Sequence, residues 1–169
     1  MNNTRTAVGL VAAAKATIEN LTARQLEAEL STGTVVLVDV REPDELASGA
    51  LPDAVHIPRG MLEFRADPAS PHHDPRLDPS QRVVLYCASG ARSALGAKAL
   101  IELGYRNVAH LDGGINAWTD TGRPVEPLLR VARQNLAALE ALDDPTRATN
   151  RAPTRDLGSA TPRPDNPRR

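Results

Sequence analysis

The sequence predicts an α/β protein built on a mainly parallel sheet, and three observations carry that expectation. Two apolar runs, "VVLVDV" at residues 35–40 and "RVVLYC" at 82–87, are uninterrupted, rich in β-branched residues and too short for helices. Continuous rather than alternating hydrophobicity is what a strand shows when both of its faces are covered. Segments with helical periodicity stand between such runs, and strands alternating with helices at this spacing wind into a parallel sheet with helices on both sides.

Taken in chain order, residues 7–19 read as an Ala-rich helix on the outside of the domain. In "LTARQLEAEL", Thr22 is a helix N-cap, Gln25 completes a capping box, and Leu21 can staple to Leu26. "STG" breaks that helix before the first strand. Pro43 then marks a helix entry that Gly49 ends, ahead of a short extended "AVHIP". Residues 58–80 hold five prolines and read as a long surface connection with one helical turn at "MLEF". His72 and His73 fall within it; with no third ligand pattern nearby they read as solvated loop residues.

The second strand is followed by a helix, "SALGAKALIELG", stopped at Gly104, and then by a third strand, "NVAHLDGG", that runs into a glycine pair. "INAWTDTG" reads as one more short helix. Leu128, Ala132, Leu136 and Leu139 recur at near-helical spacing and predict a last amphipathic helix. From Asp144 onward five prolines, six arginines and a single large aliphatic residue, Leu157, predict a disordered tail. The expected organisation is therefore an N-terminal helical extension over 1–20, the α/β domain over 21–126, a helix over 127–143 and the tail over 144–169.

Composition narrows the function classes. Twenty Lys and Arg against 21 Asp and Glu give a formal net charge of -1, so no global field favours nucleic acid or an anionic membrane. The apolar stretch 7–14 is too short to span a bilayer and too Ala-rich for a typical signal peptide, and the cytoplasm is the expected compartment. A single cysteine can form neither an internal disulfide nor a Cys-rich zinc site.

That lone Cys87 sits where an apolar strand stops and "ASGAR" begins, just before a helix. In a parallel α/β sheet, sites form at the carboxyl ends of strands. Ala88, Ser89, Gly90 and Ala91 are small enough for the backbone to curl, and Gly90 is free to take positive φ, so successive N–H groups can face inward as an anion nest. The following helix adds the positive end of its dipole. Both features favour thiolate over thiol, the reactive form, whereas a lone cysteine elsewhere would read as a small inert hydrophobe.

Three collinear stretches, "LVDVREPDELASGALPDAVHIP", "VVLYCASGARSALGAKALIELGY" and "NVAHLDGGINAWTDTGRPVE", resemble the rhodanese (thiosulfate sulfurtransferase) family, single-domain type, over residues 21–126. The resemblance implies a five-stranded, mainly parallel sheet and a catalytic cysteine, here Cys87, that accepts a sulfane sulfur as a persulfide. Its cradle would be Ala88, Ser89, Gly90, Ala91 and Arg92. No metal or organic cofactor is implied. The expected partners are a small thiosulfate-like donor, a cyanide or thiol acceptor, and a sulfur-trafficking protein. The chain departs from the family where Gly-His-Ile and then Gly-Ala are common: here Gly49, Ala50 and Leu51 precede Asp53 and Ala54.

Arg92 has two readings, steering an anionic donor or pairing with Asp39 or Glu42, and the pairing is favoured because an arginine at a helix start opposes the dipole. Arg41 reads as structural, Asp112 and Gly113 as turn residues, and Arg59 and Arg65 as candidates to approach the mouth of the site. Two alternatives remain open. Phosphatases of similar design place five residues between Cys and Arg, and this chain has four, a loop better sized for one sulfur atom than for a phosphate. A persulfide carrier or rhodanese-like binding module with little turnover on small donors is the other.

Overall fold

A computed structural model describes residues 6–127 together with Leu129 and Arg133; the expected helix at 127–143, those isolated positions apart, and the tail lie outside the described residues. Five strands, β1 (Glu19–Leu21), β2 (Val35–Asp39), β3 (Val55–His56), β4 (Arg82–Tyr86) and β5 (Asn107–Leu111), form one sheet in the order β1-β5-β4-β2-β3. Every strand pair is parallel, and the fold is the mixed α/β arrangement that the sequence predicts. An isolated antiparallel bridge joins Ala50 to Glu126.

The helices are α1 (Ala7–Lys15), α2 (Ala23–Leu30), α3 (Leu62–Ala66), α4 (Ala91–Glu102) and α5 (Gly114–Asp120). Along β4 the side chains alternate between two cores, as a pleated strand requires. Val83 and Leu85 join Val38, Leu62, Leu100 and Tyr105 on one face, while Val84 and Tyr86 join Leu26, Leu37, Leu111 and Trp118 on the other. The strands are thus apolar on both faces because both faces are covered.

Helix α2 opens on the expected capping box. Thr22 N–H donates to Gln25 Oε1 at 2.9 Å, and Gln25 N–H to Thr22 Oγ1 at 3.3 Å. The helix expected over 7–19 is shorter: it closes at Lys15, and Glu19–Leu21 pair with Ala109–Leu111 as an edge strand. Asn20 explains the break, because its Nδ2 donates to the carbonyls of Lys15 and Ile18, each at 2.9 Å. It thereby satisfies a terminal helix carbonyl that another helical turn would otherwise have taken.

Pro43–Ser48 forms a 3₁₀ turn, ended by Gly49 at φ 92°. Asp53, one of the departures noted in the sequence, takes φ 58°, a left-handed conformation that Asp tolerates better than most residues. The connection after Pro58 is more deeply anchored than a surface loop. Leu62, Ala66 and Leu77 are buried, and Tyr105 Oη donates to the carbonyl of Ala66 at 2.8 Å.

Candidate active site

Cys87 follows the last residue of β4, at the carboxyl end of the sheet, and is 1% exposed. Gly90 N–H donates to its Sγ at 3.2 Å and Ser93 Oγ does so at 3.7 Å. Gly90 adopts φ 92° and caps α4, so the chain reverses around the sulfur before the helix begins. The glycine also packs closely: a Cβ there would stand 3.0 Å from the amide nitrogen of Gly113.

The loop is held from outside by the two residues that follow the glycine pair after β5. Ile115 N–H donates to the carbonyl of Cys87 at 2.8 Å, and Asn116 N–H to that of Ala88 at 3.1 Å. These bonds tie the carbonyls of Cys87 and Ala88 to the first turn of α5, and the Gly90 carbonyl accepts from Ala94 N–H and Ser93 Oγ. Gly114 makes the approach possible, at φ 60°, because a Cβ at that position would lie 2.3 Å from the Cys87 oxygen.

The electrostatics follow from this geometry. Burial pushes the Cys87 thiol up, but the N–H and hydroxyl of Ser93 and the N–H groups of Gly90 and Ser89 outweigh it, so the thiol lies below its ordinary value. Of the expected cradle, Ser89 is exposed, Gly90 buried, and Ala88, Ala91 and Arg92 half-buried.

Arg92 forms an ion pair, although its partner differs from the one expected. Its guanidinium donates to both oxygens of Glu45, at 2.5 and 2.7 Å. Asp39 is already occupied by Arg41 and Tyr86, and Glu42 sits at the cap of the 3₁₀ turn, which leaves Glu45 of that turn facing α4. The Arg92 contact holds the Glu45 carboxyl down to about 2, against a cost of burial. Arg92 is itself raised, chiefly by Glu45, with a weaker attraction to Cys87.

Arg41 is buried and structural. It donates to Asp39 through Nε and Nη2, and to the carbonyls of Glu45 and Gly49. Arg59 pairs with Glu63 at 2.9 Å, the Arg65 carbonyl bonds His73 Nδ1, and His72 is exposed. Asp112 and Gly113 form the expected turn, and Asp112 also pairs with Lys15. A cavity of about 390 Å³ lies against Leu30, Val35, Trp118 and Pro124, on the α2 and α5 side near the start of β2, and Cys87 does not line it.

Sequence reasoning left out Glu45, Ser93, His110, Asn20 and Gly114. A glycine pair ending a strand at the same rim as the cysteine was the available signal for Gly114. The others meet only through tertiary structure.

Comparisons with known proteins place the chain in a family. Residues 22–121 match the model of the rhodanese-like domain. The chain belongs to the rhodanese-like family. It is 39% identical over 94 residues to a sulfurtransferase of Allochromatium vinosum, covering 56% of this chain and 80% of that one. It is 34% identical over 93 residues to the thiosulfate:glutathione sulfurtransferase of Saccharomyces cerevisiae, covering 52% and 67% of the two chains. A solved structure from Rhodopseudomonas palustris, described as of unknown function and a possible tyrosine phosphatase, superposes with a TM-score of 0.70 at 40% identity, covering 75% of this chain and 98% of that one. This rhodanese-like chain therefore has sulfurtransferases among its relatives. Among its described residues no helix is long and apolar enough to cross a membrane.

Proposed function

We propose that this rhodanese-like protein transfers a sulfane sulfur from a small donor such as thiosulfate to cyanide or a thiol, with Cys87 as the carrier. The observation that supports this best is the sulfur of Cys87 facing the N–H groups of Gly90, Ser89 and Ser93, while the carbonyls of Cys87 and Ala88 bond to the first turn of α5. Such a cradle stabilises one anionic sulfur without needing a cation at its centre.

In the first half-reaction the Cys87 thiolate attacks the outer sulfur of thiosulfate. A Cys87 S–S bond forms, the bond to the sulfonate breaks, and sulfite leaves with that electron pair. The terminal sulfur of the resulting persulfide carries the negative charge toward the N–H groups of residues 88–92. In the second half-reaction a cyanide or thiolate attacks that sulfur, forming thiocyanate or an acceptor persulfide, and the electron pair of the broken S–S bond returns to Cys87. A thiol acceptor fits the named reaction of the yeast relative. A reducing cytoplasm, which keeps a lone thiol free, suits the same chemistry.

A phosphatase reading is weaker here. The loop has four residues between Cys87 and Arg92, a ring of N–H groups sized for one sulfur atom rather than for a tetrahedral oxyanion. The test is steady-state turnover of thiosulfate and cyanide. Ping-pong kinetics in the native protein and complete loss in a folded Cys87→Ser variant are expected; a variant that kept full sulfur transfer would sink the assignment. Loading only from a protein persulfide donor, with none from thiosulfate, would instead identify a carrier.

A further inference from the structure

His110 lies one residue short of the end of β5, fully buried and facing the Cys87 loop. Its Nε2 is 2.8 Å from Asn20 Oδ1 and its Nδ1 is 3.2 Å from Ser93 Oγ, which in turn stands 3.7 Å from Cys87 Sγ. Side chains from β1, β5 and α4 thus stand in single file behind the sulfur.

The proton positions along this file follow from the acceptors at its far end. Asn20 Nδ2 donates to two backbone carbonyls, so the amide cannot be turned over without losing both bonds, and Oδ1 must face His110. An oxygen acceptor opposite Nε2 requires a proton on Nε2. Burial, followed by Lys15 and opposed by Asp112, lowers the imidazole to about 4, so the ring is neutral near pH 7 and Nδ1 bears a lone pair. Ser93 has one hydroxyl proton, and two acceptors besides the sulfur are near it: Nδ1 and the carbonyl of Gly90, each at 3.2 Å.

We propose that His110, locked by Asn20 in its Nε2–H tautomer, is a positioning residue that makes the Ser93 hydroxyl a two-way donor for Cys87. With the thiol, S–H donates to Ser93 Oγ and Oγ–H donates to His110 Nδ1. When the thiol proton leaves to water, Oγ–H turns to the thiolate and Nδ1 is left without a donor. When the charge moves out to a terminal persulfide sulfur, the hydroxyl returns to Nδ1. The use of this switch rests on the sulfur-transfer reading, but its geometry does not.

The sign of the effect is distinctive, because a buried acceptor stranded in the thiolate state favours the thiol. Removing that acceptor therefore makes the thiolate easier to form. The experiment is the pH profile of Cys87 alkylation by iodoacetamide in the full-length protein. His110→Leu is expected to lower the thiol pKa by about one pH unit, a tenfold change in thiolate fraction, and Ser93→Ala to raise it by a similar amount. The charged groups facing the file, Arg92 with Glu45 beside Cys87 and Lys15 with Asp112 beside His110, are unchanged in both variants.

An unchanged or raised pKa in His110→Leu overturns the proposal. Should that variant fail to fold, long-range ¹H–¹⁵N correlation of the histidine rings in the native protein decides it: a bare Nδ1 and a protonated Nε2 at pH 7 are expected, and an Nδ1–H ring refutes the switch. Neither readout uses a sulfur donor. Failure of the native protein to form a persulfide therefore counts against the proposed function alone, and an unshifted alkylation profile against His110 alone.

Discussion

Two buried polar clusters lie side by side at the carboxyl ends of β2 and β4, and they are satisfied in opposite ways. In the first, the Asp39 carboxylate accepts from Arg41 and Tyr86, Arg41 also donates to two carbonyls, and Tyr86 Oη accepts from Leu51 N–H. Each side chain of the cluster is matched by another or by a backbone group. In the second, a single sulfur faces backbone N–H groups and one hydroxyl. The first cluster spends its polarity on fold; the second keeps a nucleophile whose charged form the surroundings favour. The electrostatics carry the same contrast, because burial beside Asp39 drives the Tyr86 hydroxyl well above its ordinary value while N–H and hydroxyl donors bring the Cys87 thiol below its own.

The sharpest way to break this comparison is to unpair the first cluster. Asp39→Ala leaves the buried Arg41 without its carboxylate and is expected to cost about 3–5 kcal/mol in urea unfolding. A cost below about 1 kcal/mol would mean that the network is not structural.

Acid should next expose His110. Its folded value of about 4 lies below the ordinary 6.5, so the unfolded chain binds the extra proton more readily. Its contribution is fully present above pH 6.5 and is lost as pH falls toward 4, on the order of 3 kcal/mol. Unfolding free energy measured across that window is expected to fall in the native protein and to be much flatter in His110→Leu.

Gly114→Ala tests the backbone side of the contrast. A methyl group 2.3 Å from the Cys87 oxygen, on left-handed backbone, forces the loop and α5 apart. About 2–3 kcal/mol of stability should be lost, and the thiol pKa read by alkylation should rise as the N–H donors shift. A normal alkylation profile would show that the carbonyl bonds to α5 do not set the cradle.

The smallest effect is expected from Glu45→Gln. The pair is partly exposed, so less than about 1 kcal/mol of stability is at stake. Releasing Arg92 from its carboxylate should nevertheless lower KM for thiosulfate if that guanidinium meets the donor, and leave KM unchanged if it serves only to dock α4 on the 3₁₀ turn.

The parts of this architecture that are legible in the sequence are those set by local chemistry. The apolar β-branched runs became β2 and β4, Thr22 and Gln25 capped α2, and the small residues after Cys87 curled around it. What escaped depends on distant partners. Strand β1 is three residues long and is defined by pairing with β5 and by Asn20, neither of which leaves a periodic signal. Arg92 selects Glu45 over Asp39 because Arg41 and Tyr86 have already taken that carboxylate, a competition that spacing does not reveal. His110 reads as one more residue of a buried strand until the fold brings Ser93 and Asn20 to its two ring nitrogens.

The most direct test of Cys87 as a sulfur carrier is the intact mass of the purified protein after incubation with thiosulfate, before and after addition of cyanide. A gain of one sulfur atom on the peptide containing Cys87, removed by cyanide with release of thiocyanate, is the expected result. A thiol that alkylates readily but gains no sulfur from thiosulfate, polysulfide or a protein persulfide would contradict it.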